Sequence, residues 1–151
     1  KIAQERFAKT GLKGEFLVGD FLELPYEDAF FDFVIDRESL CANRAEHVQK
    51  GVAEVHRVLK QDGMFLSFFY SSDHPDLAFG KEVEPLTYGE FTKGGFANRG
   101  VVHFLGFKDL EELYGKLFTI ENVMKHDMRE VYDKENRIGE FSEYITVARK
   151  K

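Results

Sequence analysis

The chain holds one cysteine, three prolines and no tryptophan in 151 residues. A single thiol, Cys41, leaves no internal disulfide and fits a reducing compartment, so a cytoplasmic setting is expected. No apolar run approaches the roughly 20 residues that cross a bilayer, and no signal-peptide pattern opens the sequence; no membrane partner is expected. Dense Lys/Arg runs are missing apart from Arg149-Lys150-Lys151, which reads as a solvated tail. With a net charge of −6, the chain lacks the clustered cations that neutralise phosphates, which argues against general nucleic-acid binding. No spacing of His, Cys or Asp suggests a metal. His47 and His56 fall on opposite faces of one predicted helix, and no metal is expected. The Gly94-Gly95 to Gly100 segment lacks both the Gly-Lys-Ser/Thr ending and the following helix of a phosphate loop. There is no internal repeat.

What is present describes one folded domain. Hydrophobic residues make up 43% of the chain and sixteen are Phe, which gives an aromatic-heavy core. Ile2, Ala3, Phe7 and Ala8 predict a short helix over 1–10, stopped at Thr10-Gly11. Residues 15–19 and 31–36 predict strands, the second almost continuously apolar, as strands buried on both faces are. Ala45, Val48, Val52, Val55 and Leu59 recur at steps of three and four and predict a helix over 44–60. Asn43 with Glu46 suggests a capping box at its start, and Gly63 a left-handed stop at its end. Met64–Tyr70 predicts the next strand, and strand–helix–strand implies a parallel crossover in an α/β sheet. From 71 to 106 the pattern breaks up, which marks a functional or mobile stretch. A helix over 108–117 follows. Then come strands over 119–129 and 141–149, joined through the turn-rich 133–139 and therefore antiparallel.

The order of motifs is specific. An Asp ends the strand at 15–19 (Gly19-Asp20-Phe21), followed by the turn Leu24-Pro25-Tyr26. Phe31-Asp32 opens the next strand, which ends Asp36-Arg37-Glu38. A helix ending Arg57-Val58-Leu59-Lys60 and Gly63 leads into the strand after it. This order resembles the second half of the class I S-adenosylmethionine-dependent methyltransferases. The resemblance implies a Rossmann-like sheet, mostly parallel with an antiparallel C-terminal hairpin, in a single partial domain over 1–151. Residues 71–106 would be its acceptor or lid region. The family's glycine-rich loop and first two strands have no counterpart here, and the sequence opens on Lys1 within what reads as a helix. An N-terminally truncated domain is the expectation.

The resemblance also implies roles. Asp20 would accept from the adenine amine and the backbone N–H of Phe21 would donate to the neighbouring ring nitrogen; the ordinary alternative for Asp20 is an Asx turn. Asp36 and Arg37 would line the methionine side of the cofactor, and Asp36 would orient the acceptor or take its proton. Pairing with Arg37, or capping the following turn, is an equally open reading of Asp36. Transfer from a sulfonium rests mainly on alignment, and a base is needed only for an acceptor proton of high pKa. His74 and His103 are the candidate bases, each with the plainer reading of a solvated loop histidine. His126 reads as structural, and Cys41 as a small buried apolar residue. Tyr70, Tyr88, Phe91 and Phe96 line an acceptor pocket or simply pack the lid.

Three functions follow. The first is methyl transfer from S-adenosylmethionine to a small-molecule acceptor, given the missing N-terminal part. The second is a non-catalytic module that self-associates, as a homodimer, through an exposed sheet edge. The third is a Rossmann-like enzyme using another nucleotide, which Phe31-Asp32 and Arg57–Gly63 fit less well.

Overall fold

Aliphatic side chains at helical spacing build the element on which the sheet is assembled. A computed structural model describes residues 2–128 and 140–151. Helix α1 (Ile2–Thr10) lies at the surface and buries none of its residues. Strand β1 (Phe31–Arg37) leads through a loop to helix α2 (Ala45–Val58), which buries Val48, Gly51, Val52, Val55 and Val58. Each such valine, fully buried, contributes about 1.5–3 kcal/mol through surface removed from water. Strand β2 (Leu59–Tyr70) returns parallel to β1, with Val34 opposite Phe65 and Asp36 opposite Ser67.

After β2 come a short 3-10 helix (Pro75–Phe79), strands β3 (Lys81–Glu84), β4 (Thr87–Gly89) and β5 (Val102–His103), and helix α3 (Phe107–Gly115). The hairpin β6 (Phe118–Met128) and β7 (Phe141–Lys150) closes the chain, antiparallel as its patterning predicts. The main sheet has the order β1-β2-β7-β6. Phe65 and Phe69 of β2, Tyr144 and Ala148 of β7, and Leu110 and Tyr114 of α3 join Val48, Val52 and Val55 of α2 in one core.

Several local expectations are corrected. Residues 15–19 form no strand: they are exposed and unpaired, and β1 makes its only pairing among the described residues with β2. The capping box at Asn43 does not form. Asn43 turns its amide back to the Ser39 and Leu40 carbonyls, and the first free N–H of α2, on Ala45, goes to the Glu84 carboxylate at 2.9 Å. A side chain from β3 has replaced the local cap. At the other end the left-handed residue is Asp62 (φ 61), not Gly63. Gly63 is required for space instead, since a Cβ there would lie 2.8 Å from the Lys60 carbonyl oxygen. The last helical carbonyls are met by Lys150, whose ammonium donates to His56 and Leu59 at 2.7 Å each, a favourable place for a cation. Arg149 donates to Glu121 and to the Asp62 carbonyl, so the basic C-terminus is tied down rather than a solvated tail.

The stretch 71–106 is ordered into the 3-10 helix and the sheet β3-β4-β5, packed by Phe91, Phe96, Val102 and Phe104. Its strands have two to four residues, too short for periodicity to register. The turn expected at 133–139 lies outside the described residues.

Candidate active site

Two parallel neighbours deliver their carboxyl ends to one rim, the place where open α/β sheets bind ligands. Here those ends are Asp36-Arg37-Glu38 and Tyr70-Ser71. Asp36 is buried on the inner face, and its Oδ1 accepts the backbone N–H groups of Ser39 (3.0 Å) and Leu40 (3.3 Å). Its Oδ2 is buried with no partner among the described residues. One oxygen therefore closes the turn and the other is unspent. Burial holds this carboxyl above its ordinary value, against the lowering effect of the Ser39 and Leu40 N–H groups and the Ser39 side chain.

Pairing of Asp36 with Arg37 is not what the structure shows. Strand alternation sends Arg37 to the opposite face, where it lies 4.3 Å over the Phe68 ring and meets Glu38 at 3.2 Å and the buried Glu143 at 3.0 Å. Glu38 takes a left-handed backbone (φ 60), a strained conformation for a residue with a Cβ and one that gathers at functional sites. Its Oε2 accepts the Tyr70 hydroxyl at 2.8 Å. Burial, and then that bond, push the Tyr70 phenol up. The Cys41 thiol is buried beside them, donates to the Glu38 carbonyl at 3.3 Å and is pushed up by burial, consistent with a small core residue.

A cleft of about 280 Å³ opens at this rim, lined by Arg37, Glu38, Tyr70, His74, Phe96 and Arg99 among others. His74 is not a solvated loop histidine. It is buried, with ring centroids 5.2 Å from Tyr70 and 4.9 Å from Phe96. Its Nδ1 accepts the Asp76 backbone N–H at 3.1 Å, so the proton of the neutral ring sits on Nε2. Burial holds its pKa below the usual histidine value. His74 thus meets the cleft as a donor. His103 is buried in β5, with Nδ1 2.7 Å from the Thr87 hydroxyl. It lines a different cavity, of about 380 Å³, between α2, α3 and Leu86; the structure does not bring the two histidines together. His126 lies on β6 with its ring 3.2 Å from Glu143. Among the described residues no group of three or more His, Cys, Asp or Glu is placed to hold a metal ion.

Asp20 is exposed and makes the Asx turn, accepting the Leu22 N–H at 2.9 Å. No paired strand delivers it, contrary to expectation. The segment after it is held against α2 instead. Arg57 donates to the carbonyls of Leu24 (3.1 Å) and Tyr26 (2.8 Å) and to Asp28, while Glu54 accepts the Leu24 N–H at 2.9 Å. Lys60 pairs with Asp32 at 2.9 Å. The Leu24-Pro25-Tyr26, Phe31-Asp32 and Arg57–Lys60 motifs are therefore partners in space. Phe21 and Leu40 both crowd Gly51, where an added Cβ would lie 2.8 and 2.5 Å from them. The residue after Asp20 and the loop after Asp36 thus meet over the same turn of α2.

Sequence reasoning gave no role to Glu38 beyond its place after Asp36, nor to Asp76, Arg99 or Glu143. Glu38 carries the only sequence signal, its position just past an apolar strand.

A methyltransferase domain family matches residues 1–67. An uncharacterised protein of Haemophilus influenzae is 32% identical over 152 residues, covering 86% of this chain and 61% of its own length. Three further curated relatives, named as sterol, quinone-biosynthesis and squalene methyltransferases, align with 46–49% of the chain. The chain spans 61% of the first of these four relatives and 19–27% of the others. The PH0226 protein of Pyrococcus horikoshii superposes with a TM-score of 0.68 at 27% identity, covering 99% of this chain and 65% of its own. The 1,6-didemethyltoxoflavin-N1-methyltransferase of Burkholderia thailandensis, solved with S-adenosylhomocysteine, superposes at 0.69 with 19% identity, over 99% and 56%. The fold is the Rossmann-like methyltransferase fold. Residues 1–67 match the methyltransferase domain family, and the chain is similar in fold to class I S-adenosylmethionine-dependent methyltransferases.

Proposed function

We propose that this chain contributes to methyl transfer from S-adenosylmethionine to a small-molecule acceptor, with residues 1–151 acting as one domain and 71–106 as its acceptor cap. The observation that carries the reading is the buried, unpartnered Oδ2 of Asp36 at the carboxyl end of β1. An unmatched buried acceptor costs about 1–3 kcal/mol, and a donor from a bound ligand relieves it. The residues present suit the cofactor. Asp20 offers an exposed carboxylate for the adenine amine, Phe21 its backbone N–H, and Asp36 an oxygen for the amino-acid end. Arg37 borders this end, its charge already matched by Glu38 and Glu143.

The cofactor supplies an activated methyl on its sulfonium. The protein's part is alignment: the Arg57 clamp fixes the segment after Asp20, and the turn at Ser39-Leu40 fixes Asp36. His74, with Nδ1 occupied, positions an acceptor oxygen as a donor instead of removing a proton. His103, in its separate cavity, is left a structural role. Titration of the full-length protein with S-adenosylmethionine in a calorimeter tests the reading; saturable one-to-one binding is expected, and its absence would sink it.

A second reading rests on its own observation. Phe33 (48% exposed) and Ile35 (57%) project from the uncovered face of β1, whose outer edge is unpaired among the described residues. Such an edge favours self-association. Light scattering of the 151-residue chain would show a dimer, and a stable monomer would remove this alternative.

A further inference from the structure

The cleft at the rim is distinguished by which of its polar groups remain unspent. Glu38 already accepts the Tyr70 hydroxyl and Arg37. Asp76 accepts the Gly95 N–H at 2.6 Å. Arg37 is matched by two carboxylates. The donors left unspent at the cleft are two. His74 presents Nε2–H, its other nitrogen being held by Asp76. Arg99 has no carboxylate partner among the described residues, and its charge is felt at the Tyr70 phenol. Among the described residues Glu140 and Asp76 are the lining carboxylates without a cationic partner; Glu140 is exposed, hence hydrated, Asp76 is buried against Gly94 and Gly95, and they are the groups that would favour a cation instead.

The wall between these groups is aromatic. Tyr70, His74 and Phe96 form a mutually packed trio with centroids 4.9–5.2 Å apart, and Phe141 lines the same space. A volume of about 280 Å³ falls just below the range of small-molecule pockets, about 300–1,000 Å³, and suits one small planar molecule. Resting on the methyl-transfer reading, in which this is the acceptor side, we infer that the acceptor is an aromatic or heteroaromatic acid, its ring against Tyr70 and Phe96 and its anionic oxygen turned to Arg99 and His74. An anion there makes charge-assisted bonds to two donors that are otherwise idle, while a cation would have to compete with water at the exposed Glu140 or with the Gly95 N–H at Asp76.

Four probes separate the components: 4-hydroxybenzoate (ring and anion), 4-hydroxybenzamide (ring, neutral), tyramine (ring and cation) and cyclohexanecarboxylate (anion, no ring). Ligand-observed NMR titrations on the full-length protein, with and without S-adenosylhomocysteine, should show 4-hydroxybenzoate binding about tenfold more tightly than each of the others, the scale of one charge-assisted hydrogen bond. Arg99→Ala, an exposed position that leaves folding intact, should remove that advantage and leave the benzamide unchanged. His74→Phe should do the same where it folds, and Arg99→Ala decides where it does not. Tighter binding of tyramine, equal binding of the amide, no binding of any probe, or indifference to Arg99→Ala would each overturn the inference. Loss of S-adenosylhomocysteine binding with 4-hydroxybenzoate retained would overturn the methyl-transfer reading alone.

Discussion

The β1-α2-β2 crossover and the cap at 71–106 share a core boundary but are held by different forces. In the crossover, repeated aliphatic side chains do the work: three valines of α2, Val48, Val52 and Val55, pack in one core with Phe65 and Phe69, and backbone bonds run in regular ladders. In the cap, a small cluster of Phe91, Phe96, Val102 and Phe104 is supplemented by single side-chain-to-backbone bonds, His74 to Asp76, Asp76 to Gly95 and Glu84 to Ala45. It also tolerates left-handed residues at Leu86, Glu90, Gly94 and Asn98. A crossover built this way is rigid and generic. A cap built this way is specific to one sequence, which is where acceptor choice resides in the proposed function.

That contrast can be broken or sharpened by substitution. Phe65→Ala, at the centre of the crossover core, should cost about 3–5 kcal/mol in denaturant unfolding, while Phe96→Ala in the cap should cost clearly less and instead raise amide exchange across 86–104. Equal global losses would mean that the two regions unfold as one unit. Gly51→Ala comes next. Its methyl meets Leu40 and Phe21, and overpacking costs about 1–3 kcal/mol less the gain in helix propensity, about 0.5–1 kcal/mol. It should also weaken S-adenosylhomocysteine binding by pushing the Asp20 and Asp36 segments apart; stabilisation with unchanged binding would show that they do not meet there. Gly94→Ala places a Cβ on a backbone at φ +83, 2.5 Å from the Asp76 carboxylate, and should loosen the cap locally at about 1–3 kcal/mol.

The smallest effect is a pH dependence. Burial raises the Asp36 pKa from 3.8, so the folded state holds this proton more tightly than the unfolded chain. The stability it lends is present below the unfolded value and is lost as pH rises through the folded one. Thermal unfolding of wild type and Asp36→Asn from about pH 4 to about pH 7 should therefore diverge in favour of the Asn variant as pH rises. A constant difference would contradict the assignment.

The crossover was legible because five apolar residues at helical spacing and two apolar strands admit few arrangements. The hairpin was legible for the same reason. Residues 15–19 read as a strand on composition alone, yet a strand needs a paired neighbour, and these residues pair with none although the outer edge of β1 is unpaired among the described residues. The Asn43 cap and the Gly63 stop were overridden by Glu84 and Lys150, partners 41 residues distant from Asn43 and 87 from Gly63, which no local pattern encodes. At the site, Asp36 could be placed at a strand end, but its split role, one oxygen in the turn and one unspent, is visible only in three dimensions. The same holds for His74, whose protonated nitrogen is fixed by the Asp76 backbone.

The central claim is that the Asp20 segment and the Asp36 turn, held together over α2, form one cofactor site. Calorimetric titration of S-adenosylhomocysteine into the full-length protein and its Asp20→Ala and Asp36→Ala variants tests it most directly. Both variants should bind at least about tenfold more weakly, as loss of a hydrogen bond to a charged group implies; unchanged affinity in either one would contradict the account.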